Sequence, residues 1–335
     1  MKQYNVAVVG ATGMVGRKFL QVLEERKLPV ANYYLFASKR SAGTKLPFMG
    51  KEYVVRELTE TCFDGLDIHI ALFSAGGGTS KEFAPVAARA GAVVIDNSSQ
   101  WRMDEDVPLV VPEVNPEHIP QYKKKGIIAN PNCSTIQAVV ALKPLHEKFG
   151  LKRVVYSTYQ AVSGAGQQGY SDLEQGILGH PPSKFQHQIA GNCLPHIDVF
   201  LDTGYTKEEQ KMIDETRKIL DRPELRVTAT TVRVPVFHGH SESINVELER
   251  PFEMAEIFEA FESMPGIVVQ DDPANALYPM PITAQDTDPV YVGRIRRDFS
   301  VDNGINFWCV ADNIRKGAAT NTVQIAQELI NQWER

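Results

Sequence analysis

The opening stretch YNVAVVGATGMVGRKFLQVLEERKL constrains the chain more than any other. Tyr4 to Val9 is a short β-type run that ends at Gly10. From Gly13 to Leu28, Val15, Phe19, Leu20, Val22 and Leu23 recur at helical spacing and predict an amphipathic helix. Gly10, Gly13 and Gly16 stand at the junction. Glycines there allow a tight turn and the close approach of a pyrophosphate, whose charge suits a helix N-terminus. The same glycines also fit a plain turn with a close helix–strand crossing. The strand–turn–helix context favours the dinucleotide.

The alternation continues. Tyr33–Phe36 and Ile68–Phe73 read as strands, and the glycine run Gly76–Gly78 leads into a helix ending near Arg89. Ala92–Ile95, Leu109–Val111 and Ile127–Ala129 are further apolar runs. Strands alternating with helices over the first 130 or so residues predict a doubly wound, mainly parallel α/β sheet. Beyond Cys133 the texture changes to longer runs of period two: RVVYSTYQAVSG, RVTATTVRVPVFHGHSESINVEL and VYVGRIRRDF. With a charged helix at Lys207–Leu220 between the first two, they predict an α+β domain with an antiparallel or mixed sheet. The tail, Gly317–Trp333, returns to helical spacing and is expected to pack back on the first domain.

Composition narrows the function classes. A net charge of −6 argues against nucleic acid or an anionic membrane as the main partner, though not against a local basic pocket. No apolar run approaches membrane-spanning length, and the immediate entry into a strand at Tyr4 leads us to expect no signal peptide. Cys62, Cys133, Cys193 and Cys309 are scattered and show no zinc-type spacing, so no metal is expected. The setting is expected to be reducing and cytoplasmic.

The end of the second strand bears on the cofactor. A carboxylate about 20 residues past the glycines would hold the ribose of NAD. Here the sequence reads FASKRSAG, with Ser38, Lys39, Arg40 and Ser41. Cationic and hydroxyl donors suit a 2′-phosphate, so NADP is expected. An ordinary solvated basic turn is the alternative.

IIANPNCSTIQAVV places Cys133 where a helix begins. Helix N-termini lower thiol pKa values, because terminal amides favour the anion. The placement makes Cys133 a candidate nucleophile, and His240, in RVPVFHGHSESINV, a candidate proton-transfer partner. Arg233 lies seven positions before His240, on opposite faces if the strand were regular, but Pro235 and Gly239 predict a bend.

GATGMVG, NSSQWRM, NPNCST, YQAVSGAG, RVPVFHGHS and CVADNIRKGAATNTVQIA occur in the order found in aspartate-β-semialdehyde dehydrogenases, and the chain resembles that family along essentially its whole length. The resemblance implies an NADP-binding Rossmann-type domain at residues 1–130 plus 315–335, and an α+β catalytic and dimerisation domain at 131–314. It implies a homodimer acting on a small molecule in the biosynthesis of lysine, threonine, methionine and diaminopimelate. The reaction is reversible NADP-dependent conversion of L-4-aspartyl phosphate to L-aspartate 4-semialdehyde and phosphate through a thioester. Carried over, Cys133 is the nucleophile, His240 the acid/base and Gln160 a substrate-orienting residue. Arg233 would grip the α-carboxylate and Glu208 the ammonium; Arg102, Lys211 and Asn132 would meet phosphate. Cofactor contacts would come from Gly10, Thr12, Gly13, Met14, Val15, Gly16, Arg40, Ser41, Ser163, Gly164 and Asn313. Glu208 and Lys211 share a helix face, which equally fits a surface ion pair. The nearest rival, N-acetyl-γ-glutamyl-phosphate reductase, uses the same thioester logic on a substrate without a free ammonium, which would leave Glu208 without a purpose.

Overall fold

The computed structural model describes residues 2–335 and resolves two compact units, Met1–Pro131 with Ala318–Arg335, and Asn132–Gly317. In the first, β1 (Tyr4–Val9) leads into α1 (Met14–Arg26) and β2 (Val30–Ala37). A small antiparallel ribbon follows, β3 (Lys45–Phe48) and β4 (Lys51–Val54), and then the two-residue β5 (Arg56–Glu57). β6 (Ile70–Phe73), α2 (Gly77–Arg89), β7 (Val93–Asp96) and β8 (Ile127–Ala129) complete the run. Six strands form one parallel sheet in the order β5-β2-β1-β6-β7-β8. This is the doubly wound sheet the sequence predicted. Its direction of growth reverses at β1, which has β2 on one side and β6 on the other, so the crevice at the carboxyl end of β1 is the expected ligand position.

Leu109–Val111 does not become a strand. Only Leu109 bridges to Ala129, because Pro108 and Pro112 bracket the run and have no N–H to give the ladder.

The second unit opens with α3 (Cys133–Phe149), β9 (Leu151–Gln160), α4 (Gly166–Ile177), α5 (Lys207–Ile219), β10 (Arg226–Arg233) and β11 (His240–Leu248). It continues with α6 (Met254–Ser263), β12 (Ile267–Val269), α7 (Pro281–Ala284), β13 (Val290–Asp298) and β14 (Gly304–Ala311). The mixed six-stranded sheet runs β10-β9-β11-β14-β13-β12. β9 pairs parallel with β10 and antiparallel with β11, and α3, α5 and α6 pack on this sheet. The run from Arg226 to Leu248, read as one bent strand, is two strands, so the face parity of Arg233 and His240 within a single strand does not arise. The chain then closes with α8 (Thr320–Glu334), which belongs to the first unit. There Val323, Ala326 and Leu329 join Val8, Phe19, Leu23, Leu72 and Ile95 in one apolar core. Among the described residues no helix is long and apolar enough to cross a membrane.

Candidate active site

α3 begins at Cys133 because Asn132 caps it. The Asn132 side-chain oxygen accepts from the amides of Ser134 and Thr135 at 3.0 and 3.4 Å. The Asn132 amide nitrogen donates to Glu208 at 2.9 Å, and its main-chain N–H donates to Glu215 at 2.7 Å. Both ends of the Asn132 side chain are thus engaged within the protein. Cys133 is left as the first helical residue, where the dipole favours a thiolate.

The expected partner is in reach. Cys133 Sγ and His240 Nε2 are 3.1 Å apart. Two strand ends place the rest: Gln160 closes β9 and Arg233 closes β10, and the two are paired in register. The residue after Gln160, Ala161, lies past both ladders and its peptide serves side chains instead. Its N–H donates to His240 Nδ1 at 3.0 Å, and its carbonyl accepts from Arg233 Nη1 at 2.7 Å. A Cβ on Gly164 would come within 2.9 Å of Arg233 Nη1 and 3.2 Å of His240 Nε2, so only glycine leaves that spot open. Ser163 and Asn313 hydrogen-bond to each other, and Asn313 accepts the Gly239 amide at 3.0 Å just before His240.

Glu208 organises the charges. One carboxylate oxygen accepts from Asn132 and from Gln160 Nε2, the latter at 3.1 Å, and the other meets Lys211 Nζ at 3.1 Å. Burial alone would raise the Glu208 pKa, but Lys211, these donors and the Arg233 charge override it and hold the carboxyl at about 2. Lys211 also meets Asp198 at 2.8 Å; burial pulls its pKa down, and the two carboxylates more than restore it. Burial lowers the pKa of Arg233, with Glu208 and Cys133 opposing. Arg233 Nε has no hydrogen-bond partner among the described residues, which leaves a buried donor for an anionic ligand. Gln160 donates to Ser134 as well, and its own oxygen is unpartnered among the described residues. His240 is fully buried; burial, then the Arg233 charge, lowers its pKa to about 3 against the pull of Glu208.

In the first unit the glycine junction behaves as a cradle. Gly10 has φ +85°, and a Cβ on Gly16 would collide with the Gly10 carbonyl, so the helix could not approach with any larger residue. Gly13 is the residue from which α1 springs, with Met14 and Val15 in its first turn. A groove at the carboxyl ends of the strands is lined by Gly10, Thr12, Gly13, Ser38, Lys39, Arg40 and Ser41. A glycine turn at a helix N-terminus beside a cationic turn fits a phosphorylated dinucleotide. Arg102 is buried in this unit and donates to the carbonyls of Asn130 and Asn97 at 2.9 and 3.1 Å.

Sequence reasoning missed several members. Ala161 acts through its backbone, which no residue type announces. Ser134 and Asp198 are ordinary polar residues until the fold brings them to Gln160 and Lys211. Glu57 lines the same groove as Arg40 because β5 pairs with β2, Glu57 opposite Ala37. Only strand register could have revealed a carboxylate beside the basic turn. Among the described residues, no cluster of three His, Cys, Asp or Glu could hold a metal ion, and no disulfide links the cysteines.

Residues 5–122 match the family model of the semialdehyde dehydrogenase NAD binding domain, and residues 142–316 that of the semialdehyde dehydrogenase dimerisation domain. The aspartate-semialdehyde dehydrogenase of Aquifex aeolicus is 60% identical over 337 residues, covering 98% of each chain. The crystal structure of aspartate semialdehyde dehydrogenase II from Vibrio cholerae complexed with ASA is 49% identical, covers 99% of both chains and superposes with a TM-score of 0.94. That of the Candida albicans enzyme with NADP is 29% identical, covers 98% of both chains and gives 0.78. The chain belongs to the aspartate-semialdehyde dehydrogenase family.

Proposed function

We propose that the chain carries out the NADP-dependent, reversible reductive dephosphorylation of L-4-aspartyl phosphate to L-aspartate 4-semialdehyde and phosphate, through a thioester on Cys133. The observation that carries the proposal is a thiol at a helix N-terminus, 3.1 Å from a buried imidazole, beside one carboxylate and two cations.

Cys133 attacks the acyl carbon as the thiolate. Arg233, with its unpartnered Nε, takes the α-carboxylate, and Glu208, held charged, takes the ammonium. Lys211 and Arg102 meet the phosphate. Asn132, engaged at both ends, serves phosphate indirectly, by capping α3 and aiming Glu208. Gln160, tied to Ser134 and Glu208, keeps an amide oxygen for the substrate. His240 brings a ring N–H to the carbonyl oxygen as charge develops there. Bound NADPH supplies the hydride that reduces the thioester carbon. Gly10, Thr12, Gly13, Met14, Val15 and Gly16 leave room for its pyrophosphate, and Arg40 and Ser41 meet its 2′-phosphate. Ser163, Gly164 and Asn313 contact it as well.

We further propose a cytoplasmic homodimer serving amino-acid biosynthesis. The open face of the second sheet shows Tyr159, 40% exposed and 5.3 Å from the Trp308 ring, an apolar patch suited to a second copy. Light scattering reading twice the chain mass supports this.

The test is absorbance at the nicotinamide band. Purified protein receives aspartate semialdehyde, phosphate and either NADP or NAD, with arsenate in place of phosphate as a control. Reduction of NADP that requires phosphate or arsenate is expected. Turnover of N-acetylglutamate semialdehyde with none of aspartate semialdehyde would overturn the assignment.

A further inference from the structure

Between α4 and α5, residues 178–206 form neither helix nor strand beyond two isolated bridges, yet this segment builds one wall of the Arg233 site. Leu194 and Arg233 exchange main-chain hydrogen bonds, the Leu194 N–H donating at 2.9 Å and the Arg233 N–H at 2.8 Å. Earlier in the segment, Phe185 packs with Phe237 against the buried cluster of Val162, Leu173, Ile189 and Leu194. The Arg233 guanidinium carbon stands over the Phe185 ring, 6.0 Å from its centroid.

One side chain ties down the turn that carries Phe185. Asp172, on α4 and 4% exposed, accepts from the main-chain N–H groups of Ser183, Lys184 and Phe185 at 2.9, 2.8 and 2.8 Å. It also accepts from the Ser183 hydroxyl at 2.8 Å. Burial would raise the Asp172 pKa, but these donors on the turn outweigh it, lower the pKa and keep the group a carboxylate. Ser183 and Lys184 are themselves exposed, so the tie to the core at this turn runs through Asp172 and the Phe185 ring.

Arg233 is thereby held in three ways: its main chain by Leu194, Nη1 by the Ala161 carbonyl at 2.7 Å, and the guanidinium face by Phe185. Its Nε keeps no partner among the described residues. A planar fork pinned at one nitrogen and along one face presents its remaining N–H groups in a fixed direction. The aromatic face also attracts the cation that burial has stripped of water.

We propose that Phe185 and Asp172 are positioning residues for the substrate carboxylate. Asp172 fixes the turn, the turn sets the ring against Arg233, and the ring holds the guanidinium in the orientation that takes the carboxylate. The inference rests on Arg233 taking the α-carboxylate. As both residues act through Arg233, their effect falls on substrate affinity and not on the chemical steps.

Two aldehydes separate this from a merely structural role: aspartate semialdehyde, and 3-aminopropanal, the same molecule without its carboxylate. Phe185→Leu keeps apolar bulk and removes the flat face. It should raise KM for aspartate semialdehyde about 5- to 30-fold, with kcat within about threefold. Asp172→Asn keeps the size, loses the charge and one acceptor, and should act in the same direction. The double variant should be at most about twofold worse than the more impaired single variant. With 3-aminopropanal, kcat/KM should change by less than about twofold in all three variants. An unchanged KM in either single variant, equal losses on both aldehydes, losses confined to kcat, or full additivity would overturn the proposal. The Arg233 reading is scored separately, on the unsubstituted protein. Its kcat/KM for aspartate semialdehyde should exceed that for 3-aminopropanal by at least about tenfold, one charge-assisted contact. Equal values would refute carboxylate recognition by Arg233, and the positioning role with it.

Discussion

Replacing Glu208 by glutamine should cost stability in a way that depends on pH. The residue is 6% exposed and its carboxylate accepts from Asn132, Gln160 and Lys211. Its pKa falls from 4.5 to about 2 on folding. A depressed carboxyl pKa contributes stability that is present above the unfolded value and is lost as pH falls toward the folded one. The contribution is about 3 kcal/mol at neutral pH; about 1 kcal/mol of it is gone by pH 4 and about 2 kcal/mol by pH 3. The Glu208→Gln side chain would keep the shape, lose the charge and turn an NH₂ toward neighbours that already donate. Lys211 would retain Asp198. Urea denaturation of the original and substituted proteins at a series of pH values reads the difference directly. The gap should narrow by about 2 kcal/mol between pH 7 and pH 3. A gap that stays constant over that range would show that the charge of Glu208 is not what its neighbours stabilise.

Other expectations follow from the same contacts. Arg40→Ala should raise the Kd for NADPH about 10- to 100-fold, the loss of one charge-assisted contact, and leave NADH binding nearly unchanged; equal losses measured by fluorescence titration would remove its 2′-phosphate role. Asn132→Ala should cost about 1 kcal/mol of stability through the lost cap and shift the pH midpoint of Cys133 alkylation upward; an unchanged midpoint would detach the cap from thiol reactivity. Glu242 is fully buried with neither oxygen hydrogen-bonded among the described residues, and burial, reinforced by the Glu208 charge, holds its pKa well above the usual range. The folded protein then binds a proton there that the unfolded chain releases, so this residue erodes stability as pH rises above 4.5. Glu242→Gln should therefore stabilise more at pH 8 than at pH 5, and melting curves showing the reverse would mean that the carboxylate is charged.

The sequence disclosed what local pattern encodes. The spacing of Val15, Phe19 and Val22 specifies α1, and the turn residues around Gly10 specify where β1 stops. Alternating runs separated the parallel sheet from the mixed one. Pattern failed where chemistry interrupts it: Leu109–Val111 is as apolar as any strand, yet flanking prolines deny it a ladder. It failed again at Arg233 and His240, where a seven-residue spacing hid a change of strand. The thiol and the imidazole could be named from residue type and motif. The Ala161 peptide that orients the imidazole and Arg233 could not, because a backbone group leaves no trace in composition. Glu57 was equally invisible, since its place beside Arg40 is set by the register of β5 against β2.

Covalent attachment to Cys133 is the step on which the account stands. Protein quenched in acid during turnover of aspartyl phosphate, then digested and analysed by mass spectrometry, should carry an aspartyl group on the peptide containing Cys133. The group should vanish on adding NADPH or hydroxylamine. A peptide of unmodified mass under conditions where turnover proceeds, or the label found on another residue, would contradict it.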